Sequence, residues 1–431
     1  MKRIILLLAA IILLVSPYAF ATESRVSSLA GASNYLLDDS QIYSWPCRAP
    51  LFYRAVIAEL GVDGSRISSQ SSVSALYANQ EQTFGVIGLA VNRRTDAQSR
   101  LCDYIYHTYT TGGVPVQANV IDRLKQNGWG RGSGLREIPV PGGGLEMLYA
   151  KKLGDWTPGL RIERCADENT ENITGSAGEA ASSVTGITLS AGYEPKDALR
   201  ADLSLAYAGY SFSSRFTLDA AAYEEKFESD GARMVAGQAL VFYDLNDEMT
   251  LVPRLSISYA NLGYAYTQSD TSRNAEGKTS TLDLVLGSGW RYMPGPKYTV
   301  AAALEIGHHS SKTVDSLIMG EHGDTKSAET RWDLPTVHLG LETQLTRWLN
   351  VRIGGSKYVS STEIKTDYSD QTSNTKKLSS DRYQLGCGMG IRIGGFLLDL
   401  TVNPELLYSG GNVLSGSKTW PVNQVSILYR F

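Results

Sequence analysis

The sequence predicts an all-β chain: a transmembrane antiparallel up-and-down β-barrel, with an even number of strands (14 or 16) and a small N-terminal plug. Three observations carry this expectation. Beyond residue 21 no stretch supplies the run of about 20 apolar residues that a membrane helix needs, so helices cannot do the spanning. Segment after segment instead alternates apolar and polar residues, the period of a strand with one face in lipid and the other in water. Short and long connections also alternate, as they must when each strand reverses direction between two sides of a membrane. An open sheet edge cannot be satisfied in hydrocarbon, so the strands must close. The 24 Tyr suit membrane interfaces and the 42 Gly suit a crowded inner face.

The last strand is the clearest element. Val425, Ile427, Tyr429 and Phe431 fall on one face, and Gln424, Ser426 and Arg430 on the other, with Leu428 the exception. This alternation, ending on an aromatic residue, resembles the closing strand of bacterial outer-membrane β-barrels, where it is an assembly signal. The resemblance implies the bilayer of the bacterial outer membrane as surroundings and the barrel-assembly machinery as a partner. At the other end, residues 1–21 read as a secretory signal. Lys2 and Arg3 precede an apolar core, Ile4 to Val15, and Ala19-Phe20-Ala21 supplies the cleavage site. No Cys follows that site, so a lipoprotein anchor is not expected.

Residues 22–49 do not read as a membrane strand. They carry Leu29-Ala30-Gly31-Ala32, then Asp38-Asp39, then Ile42-Tyr43-Ser44-Trp45-Pro46. A small Gly-containing motif, an acidic pair and a Pro turn in this order resemble the start of the FadL-like outer-membrane family. That family includes hydrophobic-compound transporters and the related PorV group. The turn here is Trp45-Pro46-Cys47 where the family has Asn-Pro-Ala, so the likeness is partial; it covers residues 27–46 and the barrel pattern behind them. It implies a hatch folded inside the barrel, with Gly31, Asp38, Asp39 and Pro46 as plug residues. It also implies passive transport of a small solute of hydrophobic character, with Pro335 as a kink in the wall. The PorV side implies a non-transporting barrel acting in scaffolding, adhesion or secretion.

Counting back from Phe431, tight turns at Gly394-Gly395, Thr346-Arg347, Pro294-Gly295-Pro296, Leu245-Asn246-Asp247, Glu194-Pro195-Lys196-Asp197 and Gly154-Asp155 belong to the periplasmic side. Polar external connections at 367–377, 310–328 and 268–277 alternate with them. Taking 213–231 as an external hairpin or loop keeps the directions consistent. Earlier strands are expected near 156–165, 144–153, 83–92, 72–79 and 50–60, so the barrel occupies 50–431. Residues 93–143 form one long external insertion. It holds a short helix, Val120 to Gln126, and a Gly-rich run, Trp129 to Gly134, that lacks the strand–helix context of a phosphate loop.

Alternation also assigns faces. Leu282, Leu284, Leu286, Trp290 and Tyr292 point to lipid, as do Leu385, Cys387, Met389 and Ile391. Arg161, Glu163, Asp202, Arg254, Asp283, Arg291, Glu305, Glu342, Arg352, Arg382, Arg392, Asp399 and Arg430 face the lumen. The reverse would put Arg in lipid at a cost of about 2–4 kcal/mol near the midplane. The lumen is therefore expected to be polar, its charges either paired across a filled interior or lining a wet pathway. Mixed signs argue against strong ion selectivity.

Little else suggests chemistry. His338 shares an inward face with Glu342, and His308 to Ser310 lies near a strand top. Neither joins a nucleophile motif, so no catalytic residue is expected, and an outer-membrane hydrolase stands only as a second alternative to transport. Four widely spaced Cys suit no metal site, Glu321-His322-Gly323-Asp324 reads as a solvated loop, and no metal or cofactor is expected. Cys102 and Cys165, both assigned to external loops, are the pair to test for a disulfide. The net charge of −4, without a basic cluster, excludes nucleic acid as a partner.

Overall fold

The structure, a computed structural model, describes residues 22–61, 71–111, 114–126, 134–173, 176–196, 199–218, 223–269, 273–315, 325–367, 372–402 and 422–431. The secretory signal expected over 1–21 lies outside the described residues, as do most of the Gly-rich run and the Glu321 to Asp324 loop.

The wall begins with short strands, β1 (Ala55–Gly61), β2 (Ser72–Tyr77) and β3 (Val86–Val91). The insertion follows, with its own hairpin of β4 (Tyr106–Thr111) and β5 (Val114–Asn119). The wall resumes with β6 (Leu145–Ala150), β7 (Trp156–Ile173), β8 (Ser176–Lys196), β9 (Leu199–Leu218), β10 (Tyr223–Ser229), β11 (Arg233–Asp244) and β12 (Met249–Gln268). It continues through β13 (Arg273–Gly295), β14 (Tyr298–Asp315), β15 (Thr325–Gln344), β16 (Leu349–Asp367) and β17 (Ser373–Ile393) to β18 (Phe396–Val402) and β19 (Val422–Arg430). Each wall strand pairs antiparallel with its neighbours, and β1 closes on β19 from Ala55↔Arg430 to Gly61↔Gln424. Both β10 and β11 pair with β9 and β12, so they are one strand interrupted at 230–232, where Gly231 takes φ 59. The closed barrel therefore has 16 strands. The 213–231 stretch is a hairpin that prolongs β9 and β10 (Phe216↔Glu225) and adds no further strand.

The wall has two heights. From β7 to β9 and β12 to β17 the strands have 18–23 residues, where about 9–11 suffice to cross hydrocarbon. The surplus rises on the external side, so much of what was expected as loop at 268–277 and 367–377 is strand. On the opposite flank β18, β19, β1, β2, β3 and β6 have only 6–9 residues. Inside β15, Leu334 and Pro335 form a bulge, since Asp333 and Thr336 pair with Gly307 and Glu305.

Outward side chains form an apolar belt that includes Leu205, Leu286, Leu339 and Ile353, each about half exposed. Aromatic side chains mark its periplasmic edge: Trp156 against Tyr193, Trp290, Tyr292, Trp348, and Phe396 stacked on Tyr429. In water this surface would be costly; in lipid, with aromatic rings at the interface, it is what a bilayer selects. The described helices include none long and apolar enough to cross a membrane.

Two segments fill the interior. Residues 22–52 fold into helix α1 (Glu23–Ser28) and three 3-10 turns. Thr22 caps α1 by accepting from the Arg25 amide, and Asp38 caps the second turn by accepting from Ser40. Gly31 supplies the left-handed φ of 88 that turns the chain between them. The second filler is the insertion, with α2 (Asp96–Ile105) and α3 (Val120–Gln126). Thr95 caps α2, and Ala97, Leu101 and Ile105 make one buried stripe along it.

Candidate functional site

The periplasmic half of the lumen is built from charge pairs between the plug and the wall. Arg25 of α1 reaches Asp38 of the plug at 3.0 Å and Glu342 of β15 at 2.6 Å. Arg352 of β16 joins Glu342 at 2.9 Å to Asp399 of β18 at 2.7 Å, and Asp399 accepts from Thr22. A second node holds Arg48 2.8 Å from Asp202, with Arg200 on the other carboxylate oxygen and the Arg48 guanidinium 4.9 Å from the Trp45 ring. In a third, Glu305 accepts from Tyr35 at 2.7 Å and from Arg254 at 3.0 Å. All these groups are buried or nearly so, and each charge meets its opposite, which is the condition for keeping ions out of water. Glycines make the close approach possible. A Cβ on Gly289 would fall 2.3 Å from the Tyr35 ring, and one on Gly354 2.3 Å from the Leu29 backbone.

The other sequence-predicted residues take these positions. Arg161 lies 3.2 Å from Glu146 and 3.3 Å from Glu163. Asp283 meets Arg100 of α2 at 2.7 Å and His309 at 2.5 Å. Arg291 donates to Thr250 and stands 3.7 Å from Asp244. Arg382 is exposed on β17, Arg392 is half-buried opposite Leu397, and Arg430 is half-buried opposite Ala55. In the plug, Gly31 lies against His338, Asp39 is buried, and the Pro46-Cys47 backbone lies against Gly159. Val425, Ile427, Tyr429 and Phe431 share the outer face, the last three 38–46% exposed. Leu428 points inward and packs with Ile42, Tyr43, Phe52, Ile57 and Leu76, so the exception in the final strand is a plug contact.

Sequence reasoning missed the partners on the fillers: Arg25, Tyr35, Arg48, Arg93 and Arg100. The available signal was that a segment destined for a charged interior itself carried Arg25 and Arg48. His338 was associated with Glu342, but it meets Ser356 at 2.6 Å through Nδ1 and Glu305 at 3.2 Å through Nε2. The Ser356 hydroxyl donates to the Ala30 carbonyl, so this group anchors the plug.

The external half corrects the expectation of a polar lumen. Here Val184, Phe212, Phe216, Phe227, Met234, Tyr264 and Tyr266 point inward and form one apolar cluster with Leu101, Ile105, Ile121, Leu124 and Ile138 of the insertion. The insertion is thus folded against the inner wall. Cys165 is in β7 within this cluster, not in an external loop; Cys102 is in α2, and all four thiols are free. Burial pushes the Cys102 thiol up to about 11, and the Cys47 thiol likewise to about 11. Cys387 is partly buried on β17, between inward-facing Gly386 and Gly388.

The two fillers meet at Arg93, at the root of the insertion. Its guanidinium lies 4.3 Å from the Tyr43 ring of the plug and pairs with Glu146 at 2.8 Å. Beside this joint lies a cavity of about 60 Å³.

No protein-family model and no curated protein matches the sequence. Among solved structures the chain is similar, at 10% identity, to the toluene transporter TodX of Pseudomonas putida, over 96% of both chains at a TM-score of 0.36. It is similar at 10% identity to the toluene transporter TbuX of Ralstonia pickettii, over 94% of this chain and 99% of that one, at 0.36. A FadL homologue of Pseudomonas aeruginosa gives 9% identity, 93% and 96% coverage, and 0.35. At such distances the role of this chain is read from its own residues. Closure, an apolar belt and aromatic edges define the class: the chain is a membrane-spanning antiparallel β-barrel.

Proposed function

We propose that the barrel is a gated passive channel for a small solute. The observation that carries this reading is that the lumen is obstructed by two separately anchored segments with a cavity between them, not by one continuous core. A wall meant only to be solid has no need of a chamber, whereas two gates in series admit a solute and still keep the membrane closed. The mature protein is expected to show sparse single-channel openings in planar bilayers, and steady conductance after deletion of residues 22–49. Silence in both forms would end the proposal.

A non-transporting barrel is the second reading, favoured by how fully the plug charges are paired. It predicts no conductance in either form. The reading here requires no catalysis: Ser356 spends its proton on a plug carbonyl, and Gly31 covers the His338 ring.

A further inference from the structure

The chamber between the two fillers has a chemistry of its own. Ser44 of the plug, Asp96 of α2, and Arg161, Thr188, Ser204 and Gln238 of the wall line it. Ser204 donates to the Ser44 carbonyl at 2.8 Å, closing the floor, while Asp96 is exposed to solvent at the upper side. Further out along the same strands the inward residues become apolar: Arg161 gives way to Cys165, Thr188 to Val184, and Ser204 to Phe212. The polar lining is therefore a band at one height. Within it the Thr188 hydroxyl, on a residue 2% exposed, and Arg161 Nε have no hydrogen-bond partner among the described residues. Groups buried in that way cost free energy unless something completes them.

We propose that this chamber is a binding site for a small, uncharged, hydroxyl-bearing solute; the proposal rests on the channel reading and names its substrate class. The guanidiniums of Arg161 and Arg93 are matched by the carboxylates of Glu146 and Glu163, and Asp96 adds a further carboxylate, so the lining offers donors and acceptors close together with no excess cation. A hydroxyl both donates and accepts, so it can complete either kind of unpaired group. Two guanidiniums, Arg93 and Arg161, beside two carboxylates, Asp96 and Glu163, favour neither sign of ion, and a hydrocarbon would leave the unpaired groups unpaired. The volume of about 60 Å³ has room for several water molecules, one needing about 10–15 Å³ of such space. It receives the leading end of a solute, and passage of the remainder requires α2 to move.

The test uses the full chain in the outer membrane of a porin-deficient host, with radiolabelled arabinose and toluene as probes. Arabinose uptake is expected to exceed that of the empty host several-fold, and excess ribitol should compete with it. Thr188→Val or the less buried Gln238→Leu should cut arabinose uptake several-fold, with heat-modifiable migration unchanged. Toluene uptake alone would overturn the inference and leave the channel standing. Uptake of neither probe would overturn both. Arabinose uptake indifferent to ribitol, or to the variant that assembles, would place the site elsewhere and overturn the assignment.

Discussion

The two halves of the lumen are filled by different physics. On the periplasmic side a short segment with little helix is held by directional pairs, Arg25 to Glu342 and Arg48 to Asp202. On the external side an insertion with two amphipathic helices is held mainly by apolar packing, with Arg100 to Asp283 and Arg136 to Glu171 as ionic ties to the wall. Directional pairs specify one seat and fail when a partner is removed. Apolar contact is tolerant of small shifts, so it suits a part that slides.

The comparison can be broken most severely at Arg25. Arg25→Met strands the buried Asp38 carboxylate, and loss of one partner of a buried pair costs about 3–5 kcal/mol. Conductance should become frequent and the heat-modifiable transition should fall, and Asp38→Asn added to it should restore part of the loss. Leu101→Ala removes a fully buried side chain of the insertion at about 2–5 kcal/mol. Hydrogen exchange should speed up over α2 and leave the plug protected; equal exposure of both would refute the separation into two fillers. Arg100→Gln acts on a tie whose partners are about a third exposed, so roughly 0–1 kcal/mol is expected, vanishing in high salt. The smallest effect is at the thiols. Because folding raises the Cys47 and Cys102 thiols to about 11, their contribution to stability is intact below the ordinary thiol range. It is lost as pH rises through that range toward the folded value. Maleimide labelling of both should be slow at neutral pH and quicken with pH, and rapid neutral labelling of the native protein would contradict their burial.

The belt and an even strand number, 14 or 16, were legible because lipid imposes one rule along most of each strand: apolar out, polar in. Leu282, Leu284 and Leu286 against Asp283 and Gly287 follow it, with inward-facing Val285 the exception. The rule fails above the membrane, where the outer face meets water and the inner face meets the insertion. There Phe212, Ser213, Ser214, Arg215 and Phe216 alternate in the opposite sense, so the apolar cluster read as ambiguous hairpin or loop. The insertion itself was taken as external because its length said nothing of where its stripe, Ala97, Leu101 and Ile105, would find a partner. The Arg25–Glu342 pair joins positions 317 residues apart and Arg352–Asp399 positions 47 apart, which alternation cannot match up.

The position of α1 has one more consequence. Thr22, Glu23 and Ser24 bind Asp399, Glu59 and Ser426, which belong to β18, β1 and β19. The segment that opens the plug thus lies like a clasp across the joint where first and last strands meet. Prising that joint apart means breaking more than a backbone ladder: the clasp must let go as well, so the weakest line of any cylinder is here sewn twice.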